Sequence, residues 1–277
     1  MPLLSPKEVL NLKLNCIPLP QLRMLALSLK IDATGPATEI IKRVINKGIG
    51  EEIINEFIRQ KYNERIQERR KVITDDDLKN ELMKVKTFAW GVVQGQLDQK
   101  IQSEYVRRIV RYKDLLNNVK VKLHGDVTNY VICTWFNHWT TVLIEEYISM
   151  HKKIIPTIKN IKGIDIFFDG QPFDLKVTYL PRGYDPFNAI KKPTDLAIWM
   201  YENQGAQRFG SNNRLFIVLL DNDNPERSWE LKRDFDLVFQ KIYKYFDREK
   251  VSKNDEIVFT FGKKTFTVVT KVLIITK

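Results

Sequence analysis

A chain of 277 residues is long enough to bury a full core, as one large domain or two smaller ones. Its 45 Lys and Arg against 34 Asp and Glu give a formal charge of +11, a balance suited to a phosphate polyanion as partner. The sequence holds no run of about 18 apolar residues and no signal-peptide pattern, which excludes a membrane-spanning helix and predicts a soluble, cytoplasmic protein. Its two cysteines, Cys16 and Cys133, set neither a disulfide framework nor a zinc pattern.

The N-terminal third is helical in pattern. Ser5-Pro6-Lys7-Glu8 reads as a capping box with Pro at the first helical position. Leu19-Pro20 opens a second segment with Leu22, Leu25, Leu27 and Leu29. After a loop at 32–35, a third carries Ile40, Ile41, Val44 and Ile45 and ends at Lys47-Gly48. Residues 50–118 continue as helix with dense charge. Arg59, Lys61, Arg65, Arg69, Arg70 and Lys71 form a basic run, and Asp75-Asp76-Asp77 reads as a helix N-terminus. Tyr105, Arg107, Arg108, Arg111, Tyr112 and Lys113 interleave aromatic and basic side chains along one helix. That pattern fits a phosphate-tracking surface or a solvated helix face.

Residues 127–154 form the next long helical segment, ending before Pro156. Trp135, Phe136, Trp139, Val142, Leu143 and Met150 make its apolar side. Glu146 falls within that stripe and Glu145 at its edge, and a carboxylate on a buried helix face needs a partner or a metal. Glu146 is therefore preferred over Glu145 as an extra acid. His138 and His151 share no ligand spacing and read as solvent-facing or hydrogen-bonded.

Residues 163–178 are the most informative stretch. Two short strands meet at Asp169-Gly170, a favoured hairpin turn. Successive side chains alternate between faces, so Ile164, Ile166 and Phe168 with Phe173, Leu175 and Val177 form one apolar set. Asp165, Asp174 and Lys176 fall on the opposite face, beside Phe167. Two adjacent carboxylates suit Mg²⁺, a hard cation that takes one or two carboxylates and fills its shell with water and phosphate. A neighbouring lysine would orient water and offer charge to a phosphoryl transition state. A cross-strand ion pair on an exposed hairpin face accounts for the same residues.

Beyond the hairpin, the loop 178–184 carries Thr178, Tyr179 and Arg182, and the polar loop 204–214 carries Gln207, Arg208, Asn212 and Asn213. Gln, Asn and Arg are the side chains that read base edges, and they are also ordinary loop formers. Residues 194–203 read as helix, 214–221 as a buried central strand, 228–246 as helix and 256–276 as a hairpin around Gly262-Lys263-Lys264.

Asp165, followed after eight residues by Asp174-Leu175-Lys176, resembles the bipartite motif of the PD-(D/E)xK nuclease superfamily, with Ile164 where the family often has Pro. The resemblance covers about residues 127–222. It implies that Asp165, Asp174 and, between the motif's second acid and its lysine, Leu175 contact Mg²⁺, that Lys176 assists the hydrolytic water, and that Glu146 or Glu145 on the preceding helix helps. Residues 18–47 are similar to a SAP motif, a short DNA-binding module, with Gly35, Ile40 and Arg43 matching and Ala37 where that family has Lys. An ordinary helical hairpin explains the same pattern.

The resulting expectation is an α/β fold. A restriction-endonuclease-like core at 119–277, a mixed sheet flanked by helices, follows an all-helical DNA-binding region at 1–118. The activity implied is that of a Mg²⁺-dependent type II restriction endonuclease on double-stranded DNA, acting as a homodimer. Arg43, Arg69, Arg70, Arg107, Arg108 and Arg111 and the two loops are its expected DNA contacts. A structure-specific repair nuclease of the same fold and a non-catalytic SAP-like DNA-binding protein are the alternatives.

Overall fold

The structure is a computed structural model that describes residues 2–88, 97, 99–205 and 212–277. In chain order the α-helices are α1 (Pro6–Asn15), α2 (Leu19–Ser28), α3 (Ala37–Asn46), α4 (Glu51–Val72), α5 (Asp75–Met83), α6 (Tyr112–Asn118), α7 (His124–Ser149), α8 (Pro186–Lys191), α9 (Pro193–Met200), α10 (Ser228–Leu231) and α11 (Phe235–Arg248). The strands are β1 (Ile154–Ile161), β2 (Ile164–Phe168), β3 (Gln171–Tyr179), β4 (Arg214–Leu220), β5 (Glu256–Phe261) and β6 (Lys264–Thr276). They form one mixed sheet in the order β1-β2-β3-β4-β6-β5. The meander β1-β2-β3 and the hairpin β5-β6 are antiparallel, while β3-β4 and β4-β6 are parallel.

Local chemistry sets the helix starts. Ser5 and Glu8 exchange the capping-box bonds that open α1, and the Thr74 hydroxyl accepts from Asp77 N to open α5, whose first turn holds the three aspartates. The chain resolves into two compact units, residues 1–72 with 145–277, and residues 73–144. The expected boundary near residue 118 falls inside the second unit, and the first four helices belong with the sheet.

In the first unit, Leu14, Leu22, Ile40, Val44 and Ile54 from α1–α4 form one buried cluster with Ile155, Ile164 and Phe167 of the sheet. Lys13 is buried in this layer. Its ammonium bonds Glu51 at 2.6 Å and Asn55 at 2.8 Å and lies 5.5 Å from the centre of the Phe167 ring. A buried lysine is tolerable only with such partners. A second cluster joins Leu196, Ala197, Met200 and Tyr201 of the α9 segment to Phe216, Val218, Ile257, Phe259 and Val268. Phe246 of α11 meets Phe168 edge-on at 4.9 Å.

Three local expectations are corrected. The long helix, expected to reach residue 154, ends at Ser149, and residues 154–161, where no strand was expected, form β1. Pro156 sits opposite Ile166 on this edge strand, a place where a missing N–H costs no ladder bond. Trp135 on α7 and Met150 just after it are exposed, while Cys133, Phe136, Thr140 and Leu143 are buried. The stretch 105–113 is not one helix, because a π-helix at Ile101–Val106 gives way to a turn before α6. Among the described residues, no helix is long and apolar enough to cross a membrane.

Candidate active site

The β2-β3 turn determines which residues meet. Asp169 (φ 48°) and Gly170 (φ 79°) both adopt the left-handed conformation, as a two-residue type I′ turn requires. The ladder pairs Phe168 with Gln171, Phe167 with Pro172 and Ile166 with Phe173, so the next rung sets Asp165 against Asp174. Leu175 N donates to the Asp165 carboxylate at 2.8 Å. A residue's N–H and C=O leave a strand on the same side, so the Leu175 carbonyl faces this edge too.

Asp174 is buried and held at both oxygens. Lys176 Nζ bonds Oδ1 at 2.6 Å and Arg214 Nε bonds Oδ2 at 3.2 Å. The parallel ladder explains the second bond, because Arg214 lies opposite Asp174 and Thr270 opposite Arg214. Arg214 is fixed from several sides. Its guanidinium lies 4.9 Å from the Tyr201 ring centre, and its carbonyl accepts from the Thr270 hydroxyl at 3.1 Å. The Lys176 side chain, 39% exposed against 3% for Arg214, is the one that reaches solvent.

The field around the pair is uneven. Burial pushes the Asp165 carboxyl above its ordinary range, and the Asp174 charge adds to this, while the Leu175 N–H bond and Lys176 pull it back. Glu145, on the last turns of α7, is pushed up to about 7, by burial first and then by Asp165; Arg65, Lys176 and Lys232 oppose the shift. Burial drives the Lys232 ammonium down to about 7 against the pull of Glu145. The Tyr62 phenol is raised by burial and by the charges of Glu145, Glu146 and Asp165.

Asp165, Asp174, Leu175, Lys176 and Glu145 thus share one neighbourhood. Glu146, the preferred extra acid, has a partner of its own, because Arg69 of α4 grips its carboxylate through both Nε, at 3.2 Å, and Nη2. The buried acid predicted within the α7 stripe is present, and its partner is an arginine. The same pair removes Arg69 from the exposed basic run, leaving Arg70 half-exposed beside it. Arg43 is likewise committed. It donates to the carbonyls of Asp32 and Thr34 and pairs with Asp32 and Glu39, closing the loop before α3.

Arg107, Arg108 and Arg111 are exposed. Thr178 and Tyr179 are the last two residues of β3, half-buried, and Arg182 is exposed in the loop that follows. Gln207 and Arg208 lie outside the described residues. Asn213 is buried, its Oδ1 accepting from Val269 N at 3.0 Å and its carbonyl from Asp174 N at 2.9 Å. It therefore braces the sheet instead of reading bases. Asn212 packs where a Cβ on Gly163 would stand 2.1 Å from its Nδ2, so this close approach requires a glycine at 163.

Sequence reasoning missed Arg214, Lys232 and Tyr62, and read Arg65 only as part of the basic run. For Arg214 a signal existed, a charge entering a wholly apolar run, but its partner depends on strand register. Among the described residues no group of three His, Cys, Asp or Glu side chains is assembled for a metal. The donors still fit a Mg²⁺ ion, which needs only one or two carboxylates. Asp165 stands against Asp174 in a partly buried place that disfavours its charge, and the Lys176 side chain reaches solvent. No family model matches the chain, and no similar protein is found among curated proteins or solved structures.

Proposed function

We propose that the protein is a Mg²⁺-dependent endonuclease that hydrolyses phosphodiester bonds of double-stranded DNA at a specific short site, in the manner of a type II restriction enzyme. One observation carries the reading. Asp165, Asp174 and Lys176 lie together on one hairpin of a mixed sheet, with Glu145 in their field. Asp165, Asp174 and the Leu175 carbonyl would hold the ion, which when bound supplies positive charge to the phosphoryl oxygens and acidifies water.

The chain's own groups do the rest. Lys176 exchanges its bond to Asp174 for the attacking water and the phosphate, orienting one and offering charge to the other. Arg214 stays on Asp174 Oδ2 and holds that carboxylate in place as Lys176 leaves. Glu145, partly ionised near neutral pH, accepts a proton from the water network. The net charge of +11 and the exposed arginines favour a DNA backbone as partner. Symmetric cleavage of a palindrome calls for a two-fold homodimer.

The test is incubation of phage and plasmid DNA with and without Mg²⁺, beside a Lys176→Ala control. Discrete fragments that need both the ion and Lys176 are expected. A smear would retain hydrolysis and remove site specificity. DNA left intact, branched substrates included, would overturn the enzymatic reading in favour of a binding protein.

A further inference from the structure

The loop after β3 leads away from Lys176 to a cavity of about 320 Å³, at the small end of the ~300–1,000 Å³ of ordinary ligand pockets. Its first lining residue, Gly183, follows shortly after the carboxyl end of β3 at Tyr179. Tyr184 and Trp199 meet edge-on in its wall, ring centres 5.7 Å apart. Asp185, Lys192 and Asp195 supply its charges.

These groups have different duties. The Asp185 carboxylate caps α8, accepting from Asn188 N at 2.8 Å. Lys192 and Asp195 stand on one tight turn, the Asp195 N–H bonded to the Lys192 carbonyl at 3.0 Å. Among the described residues, no hydrogen bond or ion pair holds the Asp195 carboxylate. Its presence is felt by the Tyr184 phenol, which is pushed up by burial and then by Asp195 and Asp185.

A flat ring against Tyr184 or Trp199 would share the cavity with the exposed Asp195 carboxylate and Lys192 ammonium, while Asp185 is engaged in its helix cap. A carboxylate takes two neighbouring N–H donors, and an ammonium takes an acceptor. Guanine alone among the four bases offers two adjacent donors, N1–H and the 2-amino group, with the O6 acceptor beside them. Adenine and cytosine each offer one amino donor next to an acceptor, and thymine has a lone N–H between two carbonyls.

We propose that this cavity binds an unpaired guanine base, stacked on the Tyr184–Trp199 corner, with Asp195 accepting from N1–H and the 2-amino group and Lys192 donating to O6. The proposal rests on the reading of the protein as one that acts on DNA, and adds that it captures a guanine outside the stack. Bases held this way rest on aromatic rings and are read on their Watson–Crick edge. Arg182 and Lys191, beside the cavity in sequence and exposed, are suited to the flanking phosphates.

The test is fluorescence anisotropy in EDTA with the full chain, so that hydrolysis plays no part. The probes are a thymine 12-mer, the same strand with one central guanine, and the strand with deoxyinosine there. The guanine strand should bind about tenfold tighter than thymine alone, the size of one hydrogen bond to a charged group, since thymine stacks as well and lacks only the paired donors. Deoxyinosine, lacking the 2-amino donor, should fall between. Asp195→Asn, a surface change that preserves shape, and Trp199→Ala should each erase the difference, while Lys176→Ala should retain it.

Equal binding of all three strands would overturn the proposal, as would a guanine preference that survives Asp195→Asn. Competition by millimolar dGMP would assign the cavity to free guanine nucleotides, and its failure would assign it to guanine within a strand. A guanine preference without cleavage would sink the nuclease reading alone. Cleavage without the preference would sink only this one.

Discussion

Glu145 and Glu146 are neighbours in sequence with different surroundings. Arg69 neutralises Glu146, whereas Glu145 feels the charge of Asp165 in a place that disfavours its own. The folded protein raises the Glu145 carboxyl from an ordinary 4.5 to about 7, so it binds that proton more tightly than the unfolded chain does. The stabilisation this gives is full below pH 4.5 and is withdrawn as pH rises through about 7. Glu145→Gln removes the group and should leave stability near pH 4.5 almost unchanged. At pH 8 it should raise stability by about 1–2 kcal/mol, the shift discounted for partial exposure. Thermal unfolding at the two pH values checks this, and a variant equally destabilised at both would show Glu145 to be ionised and well paired in the native protein.

At the scale of the element, the β2-β3 turn carries the site, because a one-residue slip in register would send Asp165 to the opposite face. Gly170 has φ 79°, with open space where a Cβ would go, so Gly170→Ala introduces backbone strain without a clash. Urea unfolding should show a loss of about 1 kcal/mol, the cost of a left-handed L-residue. Gly125, at the start of α7, has similar space and no positive φ, so Gly125→Ala should be neutral or stabilising. Equal losses at both positions would count against the turn.

This turn was legible in the sequence, as were the caps of α1 and α5, because each depends on residues a few positions apart. So was the all-buried strand β4. Strand β1 was not legible, since a proline after helical periodicity looks like a helix stop, and only the sheet order makes 154–161 an edge. The break between Arg107 and Arg111 carried no Gly or Pro to announce it. At the site, Asp165, Asp174 and Lys176 followed from period-two alternation across one turn. Arg214 and Arg69 did not, because their acids lie 40 and 77 residues away and meet them only through strand register and helix packing.

For the whole molecule, the count of 45 Lys and Arg overstates the cations available to a polyanion, although the net charge of +11 stands because each internal pair removes an acid as well. Lys13, Arg43, Arg69, Arg214 and Lys271 spend their charge internally. Lys271, for example, is buried with Glu249 and Asp255 each at 2.8 Å. Arg107, Arg108 and Arg111 remain exposed. Each phosphate neutralised on duplex DNA contributes about 0.9 to the slope of log affinity against log salt. If all three arginines contact the backbone, the triple alanine variant should lower that slope by about 2–3 and leave unfolding unchanged. Arg69→Ala should do the reverse. Its slope should match the unmodified protein, and stability should fall by about 3 kcal/mol because Glu146 loses its buried partner. Anisotropy titrations across a salt series, with urea unfolding of both variants, separate the two classes of arginine. A slope that drops for Arg69→Ala and not for the triple variant would place the DNA on α4 instead of the segment around residues 107–111.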